Sequence, residues 1–345
     1  MIRLTGATVR YGRRTVLDEA DFHLPEGGVA YVTGRSGAGK STLIKLITQE
    51  TSAIGGEVRV AGRPLGEWKK HHLRRRIGIL FQAYELLERK TVRENIALAA
   101  QVRGLYGEEA ERHMRRLLAR VGLEGREREY PGELSGGEQQ RVALARAIVP
   151  RPSVMLMDDP FSGLDVQLRE SMQEETLGLL RETRATCMIV THHPEEAMRL
   201  GDRIAVMQRG RIIQLGKAEE LYHHPNELFV ARLFSEVNEV PCRVENGAVR
   251  TPVGTFSAPG IANGGRAILC LRHRGIQVKP AGQGLPGRIL QMKFLGDVGR
   301  VEIAVQGFQT PIKARVHESE GWQKGAEVSI EVDPSRVLLF PAESN

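Results

Sequence analysis

With 345 residues, of which 41% are hydrophobic and 26% charged, the chain is long enough for two domains and apolar enough to bury a core, which excludes a disordered polymer. No apolar run approaches the roughly 20 residues of a membrane-crossing helix, and the start Met1-Ile2-Arg3-Leu4-Thr5 lacks a signal-peptide core, so a protein that neither spans nor exports itself is expected. Lys and Arg outnumber Asp and Glu by 49 to 42, a net +7 that admits an anionic partner without naming one. Up to about residue 235, short apolar runs alternate with helix-like segments, as in an α/β sheet covered by helices. Residues 29–33 read as a buried strand, followed by a glycine-rich turn and helical spacing over 41–47. Residues 107–121 carry Met114, Leu117, Leu118 and Val121 at helical intervals, an inserted amphipathic layer. Residues 154–157 and 188–191 are further buried strands ending at polar residues, where ligands of parallel sheets collect. After the helix-like stretch 226–234 the pattern switches to alternation, as in 301–305 and 328–332, with Gly and Pro turns between. The spacing predicts a boundary near 237–241 and a second, β-rich domain over 238–345.

Gly34-Arg35-Ser36-Gly37-Ala38-Gly39-Lys40-Ser41 completes the pattern G-x-x-x-x-G-K-[ST] after a strand and at a helix start, with Thr42 next. Backbone N–H groups of such a loop turn inward around a polyphosphate. Lys40 reaches its outer phosphates, and the Ser41 hydroxyl faces a Mg²⁺ ion. The metal needs an acidic partner, and Asp158 at the end of the 154–157 strand supplies it; Asp159, next in sequence, stands where a base could polarise an attacking water. Cys187, Cys242 and Cys270 are too dispersed for a zinc knuckle or a disulfide framework, which fits a reducing compartment. The His71-His72 and His223-His224 pairs lack metal-ligand spacing, and the basic run over 69–76 reads as a solvated helix face, with lipid headgroups as the alternative.

Leu134-Ser135-Gly136-Gly137-Glu138-Gln139-Gln140, shortly before the Asp158 strand, resembles the signature motif of ABC-type ATPases. The other elements of that family follow in order. Tyr11 stands where an aromatic stacks on adenine, and Gln82 in the Q-loop is assigned to the metal and the water. Ser162-Gly163-Leu164-Asp165 stands as the D-loop and His192 as the switch histidine. The resemblance covers about two-thirds of the chain. It implies a P-loop NTPase with a RecA-like core, an antiparallel β subdomain and a helical subdomain at about 84–150, using ATP and Mg²⁺. In such a fold a homodimer pairs head to tail, so that Ser135, Gly136, Gly137 and Glu138 of one subunit meet the γ-phosphate held by the other, and Asp165 couples the two sites. Two positions depart from the family. Asp159 replaces the usual glutamate, one methylene shorter, which implies slow but nonzero turnover that Asp159→Glu should raise. His193 stands where many relatives carry aspartate, and nothing is assigned to it.

Asp159-Pro160-Phe161-Ser162-Gly163-Leu164-Asp165 resembles the D-loop context of bacterial import ATPases, and the tail, with Leu269-Cys270-Leu271-Arg272 and Gly287-Arg288-Ile289-Leu290, resembles their OB-like regulatory (TOBE) domain. This implies separate transmembrane permease subunits, contacted through Tyr84, Leu86 and Leu87, an extracytoplasmic solute-binding protein, and a place at the cytoplasmic face of the inner membrane. Relatives with this layout carry ferric iron, inorganic anions, polyamines or sugars, and the expected cargo, on resemblance alone, is ferric iron or another ion. The phosphate loop also resembles that of the cell-division ATPase of the same superfamily, a non-transport ATP-gated module, but that protein lacks a comparable tail. With 5% aromatic residues there is no stacking platform for single-stranded nucleic acid, and no nucleic-acid partner is expected.

Overall fold

Alternating apolar positions make β1 (Ile2–Tyr11) and β2 (Arg14–Leu24) an antiparallel pair, with Ile2, Leu4, Leu17 and Phe22 buried on the inner face. In the computed structural model, which describes residues 1–317 and 320–342, these strands begin the first of two units, Met1–Leu221; the second is Tyr222–Asn345. β3 (Val29–Thr33) is buried at every position, the pattern of a strand covered on both faces. The glycine loop then leads into α1 (Lys40–Ile47). β4 (Gly55–Val60) and β5 (Arg63–Pro64) complete a four-stranded antiparallel sheet in the order β2-β1-β4-β5. Leu43, Ile44, Leu46 and Ile47 of α1 pack into one core with that sheet and with the parallel sheet described next.

After α2 (Lys70–Arg74), whose basic residues are exposed around buried Leu73, β6 (Ile77–Leu80) joins the second sheet. Between β6 and β7 (Val154–Asp158) the chain inserts α3 (Val92–Val102), α4 (Gly107–Arg120) and α5 (Gly136–Ile148). Met114, Leu117 and Leu118 of α4 are buried and its arginines face outward, the expected amphipathic layer. Thr91 caps α3 through a reciprocal box with Glu94. α6 (Val166–Thr183), β8 (Thr186–Val190), α7 (Pro194–Leu200), β9 (Arg203–Gln208) and β10 (Arg211–Gly216) complete the unit. The six-stranded sheet runs β10-β9-β3-β8-β7-β6, parallel except for β10. Its register pairs Val32 with Val190 and Val190 with Asp158, so the carboxyl ends of β3, β8 and β7 finish along one edge.

The second unit opens with the end of α8 (Ala218–His223) and α9 (Leu228–Phe234) and is otherwise built of strands. β11 (Val237–Arg243), β14 (Arg266–Arg272) and β20 (Val337–Pro341) form one sheet, and β12 (Ala248–Thr251) and β13 (Gly254–Ser257) a separate hairpin. β15 (Ile276–Pro280), β16 (Leu285–Phe294), β17 (Val298–Val305), β18 (Ile312–His317) and β19 (Glu327–Val332) form an antiparallel sheet in the order β15-β19-β16-β17-β18. Val301 and Ile303 alternate inward with Val316, Val328 and Ile330 in one core. The sequence pattern put the change of domain near 237–241. The structure instead places α9 within the second unit, because Leu228 and Ala231 pack with Cys270 of β14 and Phe340 of β20.

Candidate active site

The glycine loop between β3 and α1 has a backbone that only glycine adopts without strain at its two ends. Gly34 (φ 149°) and Gly39 (φ 106°) are both left-handed or beyond, and a Cβ on Gly34 would lie 2.1 Å from the Met207 carbonyl oxygen. Gly39 is the N-cap of α1, so the first N–H groups of that helix open onto the loop. Arg35, Ser36, Gly37 and Ser41 are exposed, Thr42 is half-buried, and Gly34, Ala38 and Gly39 are buried. Lys40 is buried; its Nζ donates to the carbonyls of Gly34 at 2.8 Å and Arg35 at 3.1 Å. These bonds hold the ammonium across the loop mouth. Burial lowers its pKa, opposed by the carboxylates of Asp159 and Asp158. Gly39→Ala would drive a methyl to 2.7 Å from the Val16 carbonyl at a positive φ. A strain of about 1–3 kcal/mol at that point should weaken ATP binding by roughly tenfold or more. Titration calorimetry checks this, with the melting temperature as a control for global unfolding.

At the adjoining strand ends, burial raises the Asp158 carboxyl pKa, the charge of Asp159 adds to the rise, and a hydrogen bond from Ser41 together with Lys40 opposes it. Lys40 acts on both neighbouring carboxyls, and Lys45 adds to its effect on Asp158. Ser41, Asp158 and Gln82 offer a hydroxyl, a carboxylate and an amide carbonyl, an all-oxygen donor set that suits Mg²⁺. Among the described residues no cluster of three or more His, Cys, Asp or Glu is placed to hold a metal.

Asp159 has left-handed backbone (φ 47°), and its N–H donates to the Val190 carbonyl at 2.9 Å. That twist turns the carboxylate toward the end of β8. There Oδ1 accepts the main-chain N–H of His192 at 3.1 Å and meets its Nδ1 at 2.8 Å. A carboxylate only accepts, so Nδ1 carries the proton and, in the neutral ring, Nε2 keeps its lone pair. Asp159 is largely shielded and His192 half exposed. Asp159 is thus coupled to the histidine.

Gln82 is exposed, with Nε2 donating to Ser162 Oγ at 3.3 Å, and Ser162 Oγ in turn donates to the Asp159 carbonyl at 3.0 Å. The structure thereby joins the Gln82 loop to the Asp159 turn. Asp165 caps α6, accepting the Leu168 N–H at 2.9 Å. Ser135 caps α5 in a capping box: its Oγ accepts from the Glu138 N–H and donates to Glu138 Oε2 at 2.8 Å. Glu138 Oε2 also accepts the Ser135 main-chain N–H at 2.9 Å, the first cause that holds the Glu138 carboxyl below its usual range, with the Ser135 hydroxyl adding to it. Ser135 and Gly136 are exposed at the helix start, and Tyr11 is 47% exposed at the end of β1.

Residues 17–162 match the ABC transporter family and residues 269–340 the TOBE domain. The iron(III) import ATP-binding protein FbpC of Streptomyces coelicolor is 36% identical over 340 residues, covering 99% of this chain and 97% of that protein. The sulfate/thiosulfate import ATP-binding protein CysA 2 of Chromobacterium violaceum is 34% identical over 346 residues, covering 97% and 94%. The chain belongs to the ABC transporter family. The dimeric structure of MJ0796, a bacterial ABC transporter cassette, superposes with a TM-score of 0.57 at 30% identity, over 63% of this chain and 99% of that one. The fold is accordingly that of a P-loop ABC ATPase followed by an all-β TOBE domain, and the family binds and hydrolyses ATP.

Several residues that shape this ABC site carry no motif. Arg146 of α5 donates to the carbonyls of Tyr84 and Glu85, both at 2.6 Å, holding two consecutive left-handed residues just after Gln82. Buried Asn95 of α3 accepts the Leu87 N–H and donates to the carbonyls of Leu87, Lys90 and Thr91. Tyr84 and Leu86 are half-buried, while Leu87 is 41% exposed. Arg146 anchors its loop from a helix some 60 residues away, which leaves no local pattern, whereas Asn95 binds within eight residues; the signals were an arginine and an asparagine on otherwise inward helix faces.

Proposed function

We propose that the chain is the ATP-hydrolysing subunit of a bacterial importer, working as a homodimer with separate permease subunits and an extracytoplasmic solute-binding protein. The observation that carries this is the joining of Lys40, Asp158, Asp159 and His192 along one sheet edge, in a chain similar over nearly its whole length to import ATP-binding proteins. Phosphates would sit against the loop N–H groups and Lys40. Ser41, Asp158 and Gln82 would hold Mg²⁺, which when bound offsets phosphate charge. The Asp159 carboxylate fixes the His192 ring with Nε2 outward, where it can take a proton from water or, once protonated, donate to a γ-phosphate oxygen. Exposed Ser135 and Gly136 at the start of α5 would complete the pocket of the opposing subunit.

No helix of the described residues is long and apolar enough to cross a bilayer, so import requires membrane partners. Tyr84, Leu86 and Leu87, on the loop pinned by Arg146 and Asn95, are proposed to face the permease at the cytoplasmic surface of the membrane. The names of the relatives favour ferric iron or another inorganic ion as cargo. Reconstitution of the chain with its genomically adjacent permease in liposomes tests this. Loading the binding protein with ferric iron should raise ATPase activity several-fold. Stimulation absent with every inorganic ion, while the isolated chain still hydrolyses ATP, would point to the non-transport module instead.

A further inference from the structure

α7 begins directly after the switch histidine, and its Glu196 is buried at 7% exposure. Glu196 Oε2 accepts the Thr191 hydroxyl at 2.9 Å, and the same hydroxyl oxygen accepts the main-chain N–H of His193 at 3.1 Å. A threonine hydroxyl has a single hydrogen. With that hydrogen committed to Glu196, its lone pairs are left for His193, and the turn is clamped on both sides of His192. The second carboxyl oxygen, Oε1, is buried without a hydrogen-bond partner, and so is the hydroxyl of Tyr31 on β3, which acts on the same carboxyl. An ionised carboxylate here would be a buried charge met by neutral hydroxyls, those of Thr191 and, after a small adjustment, Tyr31, rather than by a cation; a neutral carboxyl avoids that cost and can pair with the same two hydroxyls.

We propose that Glu196 is a positioning residue for His192, acting in its protonated form through the Thr191 hydroxyl. The surroundings agree. Burial pushes the Glu196 carboxyl up to about 7, the negative charge of Asp159 beyond β7 adds to this, and the Thr191 and Tyr31 hydroxyls and Arg169 of α6 oppose it. Among the described residues, further titratable groups at this pocket include the Cys187 thiol of β8 and Arg199 of α7, both of which act on Tyr31. Ionisation adds a charge behind the histidine turn, strengthens the pull on Thr191 and repels Asp159, which loosens the pair that sets the His192 ring. The proposal rests on the reading that His192 takes part in hydrolysis.

The test is steady-state ATP hydrolysis with Mg²⁺ from pH 6 to 8.5 for the wild-type chain, Glu196→Gln, Glu196→Ala, Thr191→Val and His192→Ala. Glutamine reproduces the neutral carboxyl, accepting from Thr191 and donating toward Tyr31. The ratio of kcat for Glu196→Gln to that of wild type should rise at least threefold across the range, with KM for ATP unchanged. Glu196→Ala and Thr191→Val should lower kcat about tenfold at pH 6, again at constant KM, with the Glu196→Ala deficit shrinking toward pH 8.5 as the wild-type carboxyl ionises; if either fails to fold, the glutamine ratio alone decides. A flat or falling ratio beside an inactive His192→Ala overturns this proposal only. A His192→Ala chain as fast as wild type overturns the reading beneath it as well.

Discussion

Asp159→Asn should lower kcat for ATP by about 10²–10⁴, the range a positioned base or its orienting partner contributes, while ATP affinity stays within about twofold. Asparagine is close to isosteric but neutral, and its amide can present a donor where His192 Nδ1–H now meets a carboxylate oxygen at 2.8 Å. The ring would then lose the partner that holds the proton on Nδ1, and Nε2 would no longer be reserved for the substrate side. The companion variant, Asp159→Glu, separates reach from coupling. One extra methylene extends the carboxylate toward a water near the γ-phosphate, and turnover should rise several-fold. A wild-type chain as fast as the glutamate variant would show that the His192 pair already compensates for the shorter acid. Single-turnover measurements with the purified chain distinguish these outcomes from effects on product release.

Ser135→Asp should reduce turnover on the order of 10²-fold or more and leave nucleotide binding by the glycine loop intact. Aspartate preserves the N-cap of α5, since its carboxylate accepts the same N–H that Ser135 Oγ accepts now. Its repulsion from Glu138 at an exposed helix start costs less than about 1 kcal/mol. What it changes is the face offered outward: a negative charge in place of a hydroxyl donor. A charge-assisted hydrogen bond is worth about 1.5–3 kcal/mol, and a symmetric dimer would lose two of them. Hydrolysis by Ser135→Asp at the wild-type rate would mean that Ser135 serves only its own helix.

The glycine loop was legible because everything it needs is contiguous: strand, turn glycines, lysine and helix start follow one another from residue 29 to 47. Met114, Leu117 and Leu118, and likewise Val301 and Ile303, were readable because burial imposes periods of 3.6 and 2 on a sequence. The antiparallel sheet of β1, β2 and β4 came only from resemblance, since its pairing depends on contacts between strands up to 58 residues apart, such as Ile2 with Val60. The Asp159–His192 pair was hidden for the same reason. Those residues lie 33 apart and meet only because β7 and β8 align Asp158 with Val190. Nor could the sequence show that Asp159 adopts a left-handed backbone, because aspartate, though enriched in that region, adopts it at a minority of positions and nothing local marks this one. Glu196 reads in sequence as one of two acids in an exposed first helical turn; its burial follows from the packing of α7 near Tyr31 on β3. At the boundary, α9 looked like the last helix of the α/β part by character alone, and only Cys270 and Phe340 reveal where it packs.

The most direct measurement is the solution mass of the hydrolysis-impaired Asp159→Asn chain by light scattering, with and without ATP. If a second copy must supply its Ser135 turn to finish each nucleotide pocket, ATP should convert a single-chain particle into one of twice the mass, and adding Ser135→Asp should abolish that shift. A particle that stays at one chain with ATP saturating the loop, or a doubling that survives Ser135→Asp, would contradict it.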